Sequence, residues 1–123
     1  MTGADILILL INILRMENKT SQYRLTVVVP VYNEEDNIHA LEERFSAWLP
    51  QCSVPACVLF VNDGSTDGSL EGLRAVCSRH DDMYYISFKQ NAGLSAAIKA
   101  GIDYTCQADY QNPFLLFLLD LPL

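Results

Sequence analysis

One segment sets the architecture of this chain: Val27-Val28-Val29-Pro30-Val31-Tyr32-Asn33-Glu34-Glu35. Its β-branched run predicts a buried parallel strand over residues 25–31, since such strands are apolar on both faces. Pro30 lacks a backbone N–H, and we expect it to direct the chain out of the sheet. The polar residues that follow indicate a ligand site, because open α/β sheets bind ligands at the carboxyl ends of their strands.

A second segment repeats this arrangement of a buried strand followed by polar residues. The apolar residues 56–61 predict the strand, and Asn62-Asp63-Gly64-Ser65-Thr66-Asp67 follow it directly. A carboxylate at the position of Asp63 can accept a hydrogen bond from a ring N–H or a ribose hydroxyl. The alternative is an Asx turn with a Ser/Thr cap, which is purely structural. Two such segments after successive strands favour one shared crevice.

A third polar segment covers residues 89–97 and includes Asn91 and Gly93. A glycine and small residues at a helix start allow a phosphate or ribose to approach the backbone amides. The alternative is tight packing of the helix on the sheet, which also requires small residues. Neither the Walker pattern nor Gly-x-Gly-x-x-Gly is present, so the segment has no dinucleotide fingerprint.

The remaining apolar patterns complete an alternation of strands and helices. Helices are predicted over residues 36–49, 70–78 and 94–104, and further strands over residues 84–88 and 114–119. This order predicts an α/β fold with a mostly parallel sheet and helices on both faces.

Individual residues are also assigned to helix caps, to a helix face and to turns. Asp36 is predicted to cap the first helix, and Thr66 or Asp67 the second. Trp48 is expected on the inward face of the first helix. Gly64 is interpreted as a turn residue, whereas Gly68 is interpreted as incidental.

Composition limits the classes of function. The 123 residues suit one domain, and the net charge of -7 disfavours nucleic acid and nonspecific binding to anionic membranes. The four cysteines lack the spacing of a zinc site, so reduced thiols in a cytosolic protein are expected. His39 and His80 are isolated in the sequence and are interpreted as ordinary helix-surface residues.

Residues 1–24 are interpreted as an N-terminal extension. The apolar run over residues 6–14 is shorter than the roughly 20 residues that a membrane helix requires. We favour translation from Met16, and the alternative is a short amphipathic helix at a membrane surface.

The three polar segments together resemble the family-2 glycosyltransferases, through residues 28–35, 60–68 and 91–101. The resemblance implies a Rossmann-like GT-A half-domain over residues 25–123 that binds a nucleotide-diphospho-sugar, with UDP as the expected nucleotide. The third segment is most similar to the subgroup that transfers sugars to polyprenyl phosphates. A lipid-phosphate or glycan acceptor in cell wall or glycan biosynthesis is therefore expected, with the protein in the cytoplasm or at the cytoplasmic face of a membrane.

The resemblance also assigns roles to individual residues. It implies that Pro30, Tyr32 and Glu34 border the base and ribose. Asp63 would bind the base edge, and the ribose and diphosphate would lie near the two residues Asn91 and Gly93.

The end of the chain departs from the family pattern. In the family the fourth strand ends in Asp-x-Asp, which holds a divalent cation, Mg²⁺ or Mn²⁺, on the diphosphate. Here Asp120 matches the first aspartate, and Pro122 stands in place of the second. The acceptor half and its catalytic base are missing, so we expect a donor-binding domain that is incomplete at its C-terminus through truncation or a frameshift. The alternative is a non-catalytic nucleotide-binding or interaction module.

Overall fold

The computed structural model describes residues 23–108 and 114–117, with side chains over residues 23–104. Strands and helices alternate along this part: β1 Leu25–Val31, α1 Ile38–Trp48, β2 Ala56–Asp63, α2 Ser69–Arg79, β3 Met83–Phe88, α3 Leu94–Ala108 and β4 Phe114–Phe117. Short 3-10 turns, Glu35–Asn37 and Leu49–Gln51, flank α1. Within the described residues, no helix has both the length and the hydropathy needed to cross a bilayer.

The four strands form one parallel sheet in the order β3-β2-β1-β4. In the sheet, Val31 of β1 pairs with Asn62 of β2, and Asn62 pairs with Ser87 of β3. The ends of the three strands therefore lie side by side. The chain builds outward from β1 to β3 and then returns to the other side of β1. Open α/β sheets bind ligands beside such a reversal, so this topology places a crevice at the carboxyl end of β1.

The core has two layers, one on each face of the sheet. Val27 and Val29 of β1 pack in the cluster that contains the buried faces of α1 and α2. Val28 packs in the other cluster with Ala97 of α3. Both sheet faces are thus covered by helices, which explains why the strands are continuous apolar runs. The predicted α/β fold with helices on both faces is confirmed.

Three local predictions differ from the structure. Pro30 does not direct the chain out of the sheet: it pairs with Val61 of β2, and β1 ends at Val31 as predicted. The cap predicted at Asp36 is wrong: the N–H of Asn37 bonds to the carbonyl of Glu34 at 2.9 Å, which places Asp36 inside a 3-10 turn. Trp48, predicted to face inward, is 37% exposed at the end of α1.

An ion cluster around the buried Glu42 joins α1 to α2. Glu42 is 7% exposed and accepts hydrogen bonds from Nε and Nη2 of Arg79 at 2.8 and 2.9 Å. Nε2 of His80 lies 2.8 Å from the same carboxylate. Hydrogen bonding to Arg79, and then to His80, lowers the pKa of Glu42 to about 2 against the opposing effect of burial. His80 is therefore part of a structural cluster, and its interpretation as an isolated surface residue is wrong.

Candidate functional site

Asp63, the last residue of β2, anchors the loop that follows β3. The carboxylate is buried with 4% exposure. Its Oδ1 accepts the backbone N–H of Ala92 at 2.7 Å, and its Oδ2 accepts the N–H of Gly93 at 3.0 Å. Nδ2 of Asn91 donates at 3.1 Å both to Oδ2 and to the backbone carbonyl of Asp63. The structure therefore brings Asp63, Asn91 and Gly93 together, and their roles in binding a ligand stay a prediction.

These contacts give Asp63 a structural role that the sequence analysis missed. A carboxylate offers about four acceptor positions, and N–H groups of the described residues engage three of them. Oδ1 receives a single donor within the described residues, the N–H of Ala92. The sequence signal for this role is the Asn-x-Gly turn after a parallel strand. The residue that this turn contacts, Asp63, is determined by the strand register and is not visible in the local sequence.

Gly93 exposes its backbone at the start of α3. Its φ is +99°, and a Cβ built there would have no described atom within 4 Å. The N–H of Ala97 bonds to the carbonyl of Gly93 at 3.1 Å, which begins the helical ladder. The amides of the first helical turn before Ala97 have no partner within the helix. The site therefore combines an open backbone with the positive end of a helix dipole.

Gly64 permits a close approach between two loops. Its φ is +67°, and a Cβ at this position would collide with the backbone of Gln90 and Asn91. The turn after β2 therefore packs directly on the loop after β3. The interpretation of Gly64 as a turn residue is confirmed, and the close packing adds a second reason for glycine.

The end of β1 places Tyr32 at the surface beside this region. Val31 is buried, whereas Tyr32 is 47% exposed. Pro30 is partly buried within the strand, and Glu34 is partly buried after it. Oε2 of Glu34 accepts a hydrogen bond from Nδ2 of Asn37 at 2.7 Å. Tyr32 therefore offers an accessible ring, whereas one oxygen of Glu34 is already engaged.

A set of hydrogen bonds, here named the cross-loop clasp, ties residues 33–35 to residues 65–69. The N–H of Asn33 donates to Oγ of Ser65 at 3.0 Å, and Oδ1 of Asn33 accepts the N–H of Thr66 at 2.9 Å. The N–H of Gly68 donates to Oε2 of Glu35 at 3.0 Å. The bonds run in both directions, so each loop fixes the backbone of the other. A Cβ at Gly68 would meet only the carboxylate of Glu35, the mobile end of an exposed side chain, so this contact does not by itself require glycine.

Asp67 and Ser69 complete the clasp at the start of α2. The N–H of Ser69 donates to Oδ1 of Asp67 at 2.9 Å. The cap position of α2 is nevertheless Gly68, without a side-chain cap bond, so the prediction of Thr66 or Asp67 as the cap is wrong. Oγ of Ser69 accepts the N–H of Glu34 at 2.8 Å, and Oδ2 of Asp67 accepts the N–H of Glu35 at 3.3 Å. Hydrogen bonding to the Ser69 side chain is the main cause that lowers the pKa of Asp67. The charged form of Asp67 is therefore favoured where it supports both loops.

The clasp is linked to the sheet through Asn62. This amide is 1% exposed at the end of β2. Its Nδ2 donates to Oγ of Ser87 at 3.0 Å, and its Oδ1 accepts from the hydroxyl of Ser65. Asn62 therefore connects the end of β2 to β3 through Ser87 and to the clasp through Ser65. Its interior position, which the sequence analysis missed, follows from the strand extending to Asp63.

The predicted metal ligand cannot be placed with these residues. Asp120 lies outside the described residues, and its role stays a prediction. Over the described part of the chain, no three His, Cys, Asp or Glu side chains cluster in a way that could hold a metal ion. Cys52, which is partly buried, is a free thiol.

Sequence comparisons match the same region of the chain. The family model described as Glycosyl transferase family 2 matches residues 26–118. A Bacillus subtilis (strain 168) protein named "Uncharacterized glycosyltransferase YkcC" is 40% identical over 100 residues, which cover 76% of this chain and 31% of that protein. An "Undecaprenyl-phosphate 4-deoxy-4-formamido-L-arabinose transferase" of Aeromonas hydrophila is 38% identical over 104 residues, covering 78% of this chain and 32% of that protein.

A structural comparison matches the fold. The mannosyltransferase PcManGT from Pyrobaculum calidifontis, solved in complex with GDP-Man and Mn²⁺, superposes with a TM-score of 0.53 at 23% identity. The match covers 83% of this chain and 33% of that protein. At this identity the likeness concerns the fold alone. The chain thus spans about a third of the length of each relative described here.

Proposed function

This chain belongs to glycosyl transferase family 2, and we propose that its crevice holds a nucleotide-diphospho-sugar donor for transfer of the glycosyl group to an acceptor. The observation that carries the proposal is the convergence of three loops at one edge of the sheet. An exposed aromatic ring at Tyr32, a buried carboxylate at Asp63 and an open helix start at Gly93 are the groups that these loops supply. The ring of Tyr32 suits a nucleotide base, the carboxylate of Asp63 suits a ring N–H, and the helix start at Gly93 suits a diphosphate.

The nucleoside is assigned to the loops after β1 and β2. The ring of Tyr32 stacks on the base, and Pro30 and Glu34 border the base and ribose. Oδ1 of Asp63 accepts a ring N–H in addition to the backbone N–H of Ala92. Uracil has such a donor at N3, as guanine has at N1, and UDP is the nucleotide that the family resemblance leads us to expect. A buried carboxylate discriminates strongly here, because a base without the donor would leave the charge less well paired.

The diphosphate is assigned to the loop after β3. Gly93 lets the phosphate oxygens approach the first turn of α3, where free amides and the helix dipole favour an anion. Asn91 orients this loop through its bonds to Asp63. The described residues do not by themselves form a site for Mg²⁺ or Mn²⁺. We therefore assign to the described residues the recognition of the donor through their backbone and side-chain groups.

A polyprenyl phosphate is the acceptor that we propose. The name of the Aeromonas hydrophila relative supports this assignment, since that protein is described as acting on undecaprenyl phosphate. Such an acceptor is a lipid, so the reaction would take place at the cytoplasmic face of a membrane. The part of an enzyme that binds this lipid is expected outside the donor crevice.

Calorimetric titration tests the donor assignment. The chain is titrated with UDP, GDP, CDP and inorganic pyrophosphate, each with and without Mn²⁺, after a thermal melt has shown that the sample is folded. We expect UDP to bind more tightly than pyrophosphate, because stacking and the Asp63 contact require the nucleoside. Absence of binding by every nucleoside diphosphate to folded protein would refute the proposal.

The alternative function is nucleotide binding without transfer. Pro122, in place of the second aspartate of Asp-x-Asp, favours this alternative because its side chain has no metal ligand. Incubation with UDP-linked sugars, polyprenyl phosphate and Mn²⁺ separates the two functions. Transfer of sugar to the lipid supports a catalyst, whereas UDP binding without transfer supports the alternative.

A further inference from the structure

We propose that Asn33 is a positioning residue, which directs the ring of Tyr32 toward the nucleotide base through the cross-loop clasp. This inference rests on the proposed function, since it assigns Tyr32 to the base. Tyr32 is 47% exposed, so packing covers only about half of the residue. The backbone on either side of it therefore contributes to its orientation.

The backbone is fixed before Tyr32 by the sheet and after it by Asn33. Val31 is 1% exposed and remains paired with Asn62 in the sheet register. Asn33 has a φ of +51°, and in the described residues it is the one non-glycine residue in the left-handed region. Left-handed backbone is unfavourable for an L-residue, although asparagine tolerates it better than most. This conformation turns the chain sharply directly after Tyr32.

Hydrogen bonds of Asn33 compensate for this cost. Its N–H donates to Oγ of Ser65, and its side-chain Oδ1 accepts both the N–H and the hydroxyl of Thr66, at 2.9 and 3.4 Å. The next residue, Glu34, is held by Ser69. Without the side chain of Asn33, the loop loses its bonds to Thr66 and gains access to other conformations. Part of the binding free energy is then consumed in ordering Tyr32.

Three substitutions separate backbone conformation from hydrogen bonding. Asn33→Gly keeps the left-handed backbone accessible and removes the acceptor. Asn33→Asp keeps an acceptor oxygen and tolerates the same conformation. Asn33→Ala disfavours the left-handed backbone and also removes the acceptor. We expect Asn33→Asp to bind UDP within about threefold of the wild type, and Asn33→Gly to bind about fivefold to tenfold more weakly, the equivalent of one lost hydrogen bond.

A double-mutant cycle gives the readout that a merely structural role would not produce. In a Tyr32→Ala background, Asn33→Gly should cause no further loss of UDP affinity, because no ring remains to be positioned. Pyrophosphate affinity should be the same in Asn33→Gly and the wild type. Independent, additive losses in the cycle, or an equal loss for pyrophosphate, would overturn the inference.

Hydrogen exchange tests the clasp in ligand-free protein. In Asn33→Gly, the amides of Glu34 and Thr66 should exchange at least about tenfold faster, whereas that of Val58 in the core should not change. Unchanged exchange at both loop amides would also overturn the inference. A third result separates the two proposals. If the wild-type protein binds no nucleotide but Asn33→Gly still exchanges these amides faster, the proposed donor function is refuted, whereas the clasp itself is supported.

Discussion

Gly93 donates its backbone N–H to Oδ2 of Asp63 at 3.0 Å, a contact between residues 30 positions apart in the sequence. Together with the bond from Ala92, it fastens the start of α3 to the end of β2. The residue proposed to recognise the base is thus also the residue that shapes the diphosphate loop. Substitution of Asp63 should therefore alter both stability and affinity.

Asp63→Asn is expected to destabilise the protein by about 1–3 kcal/mol. The amide has one acceptor oxygen, so its NH₂ group faces an N–H donor that the carboxylate had satisfied. Urea unfolding measures the loss, and calorimetry with UDP should show weaker binding in the same variant. Asp103→Asn, on the exposed surface of α3, is the matched control and should change neither quantity. Wild-type stability in Asp63→Asn would contradict the anchoring role.

Alanine substitutions at two glycines should differ in cost. Gly64→Ala combines a positive φ with a collision against the backbone of Gln90 and Asn91, and we expect a loss of about 2–4 kcal/mol. Gly93→Ala has the strained φ but open space, and should lose about 1–2 kcal/mol. Thermal and urea unfolding of the two variants provide the comparison. Equal losses would show that the close approach at Gly64 contributes nothing.

The buried Glu42 cluster predicts a stability change at acid pH. The pKa of Glu42 falls from 4.5 to about 2 in the folded chain, so the folded state favours the charged form. Its stabilisation is complete above about pH 4.5 and is lost as the pH falls toward 2. We expect a contribution of roughly 1–2 kcal/mol, reduced by solvent screening at the half-exposed Arg79.

Glu42→Gln should remove that part of the acid dependence. Urea unfolding at pH 6 and at pH 2.5 gives the difference for the wild type and for the variant. Glu43→Gln, which changes an exposed carboxylate on the same helix, serves as the control. An equal pH dependence in Glu42→Gln and the wild type would contradict the assignment to this cluster.

Two exposed aromatic residues test the location of the crevice. Tyr32→Ala should weaken UDP binding by about 1–3 kcal/mol if the ring stacks on the base. Trp48→Ala removes a ring of comparable exposure at the end of α1. A crossover helix runs back toward the amino ends of the strands, so Trp48 lies away from the crevice. Calorimetry should therefore give wild-type UDP affinity for Trp48→Ala, and equal losses would argue against the proposed site.

The strands were predictable from the sequence because burial on both faces leaves a continuous apolar signal. Residues 25–31 were predicted as the strand that the structure contains. The convergence of Asp63 with Asn91 and Gly93 was also predictable, because parallel strands end at a common edge. These predictions depend on local pattern and general topology, and on no particular pair of side chains.

The clasp and the ion cluster were not predictable in the same way. The partners Asn33 and Thr66 are 33 residues apart, and Glu42 and Arg79 are 37 apart. Their pairing depends on strand register and on the angle at which two helices pack, neither of which a local pattern encodes. The cap predicted at Asp36 failed for a related reason, because the clasp holds residues 34–35 in a turn before α1 begins.

The strand order has a consequence for synthesis of the chain. β1 lies between β2 and β4, yet β4 begins at Phe114, long after β1 ends at Val31. Ribosomes add about 5–20 residues per second, so the edge of β1 that pairs with β4 remains unpaired for several seconds during synthesis. An unpaired apolar edge is a template for intermolecular pairing. Delayed translation between the codons for α3 and β4 should therefore increase aggregation of the nascent chain.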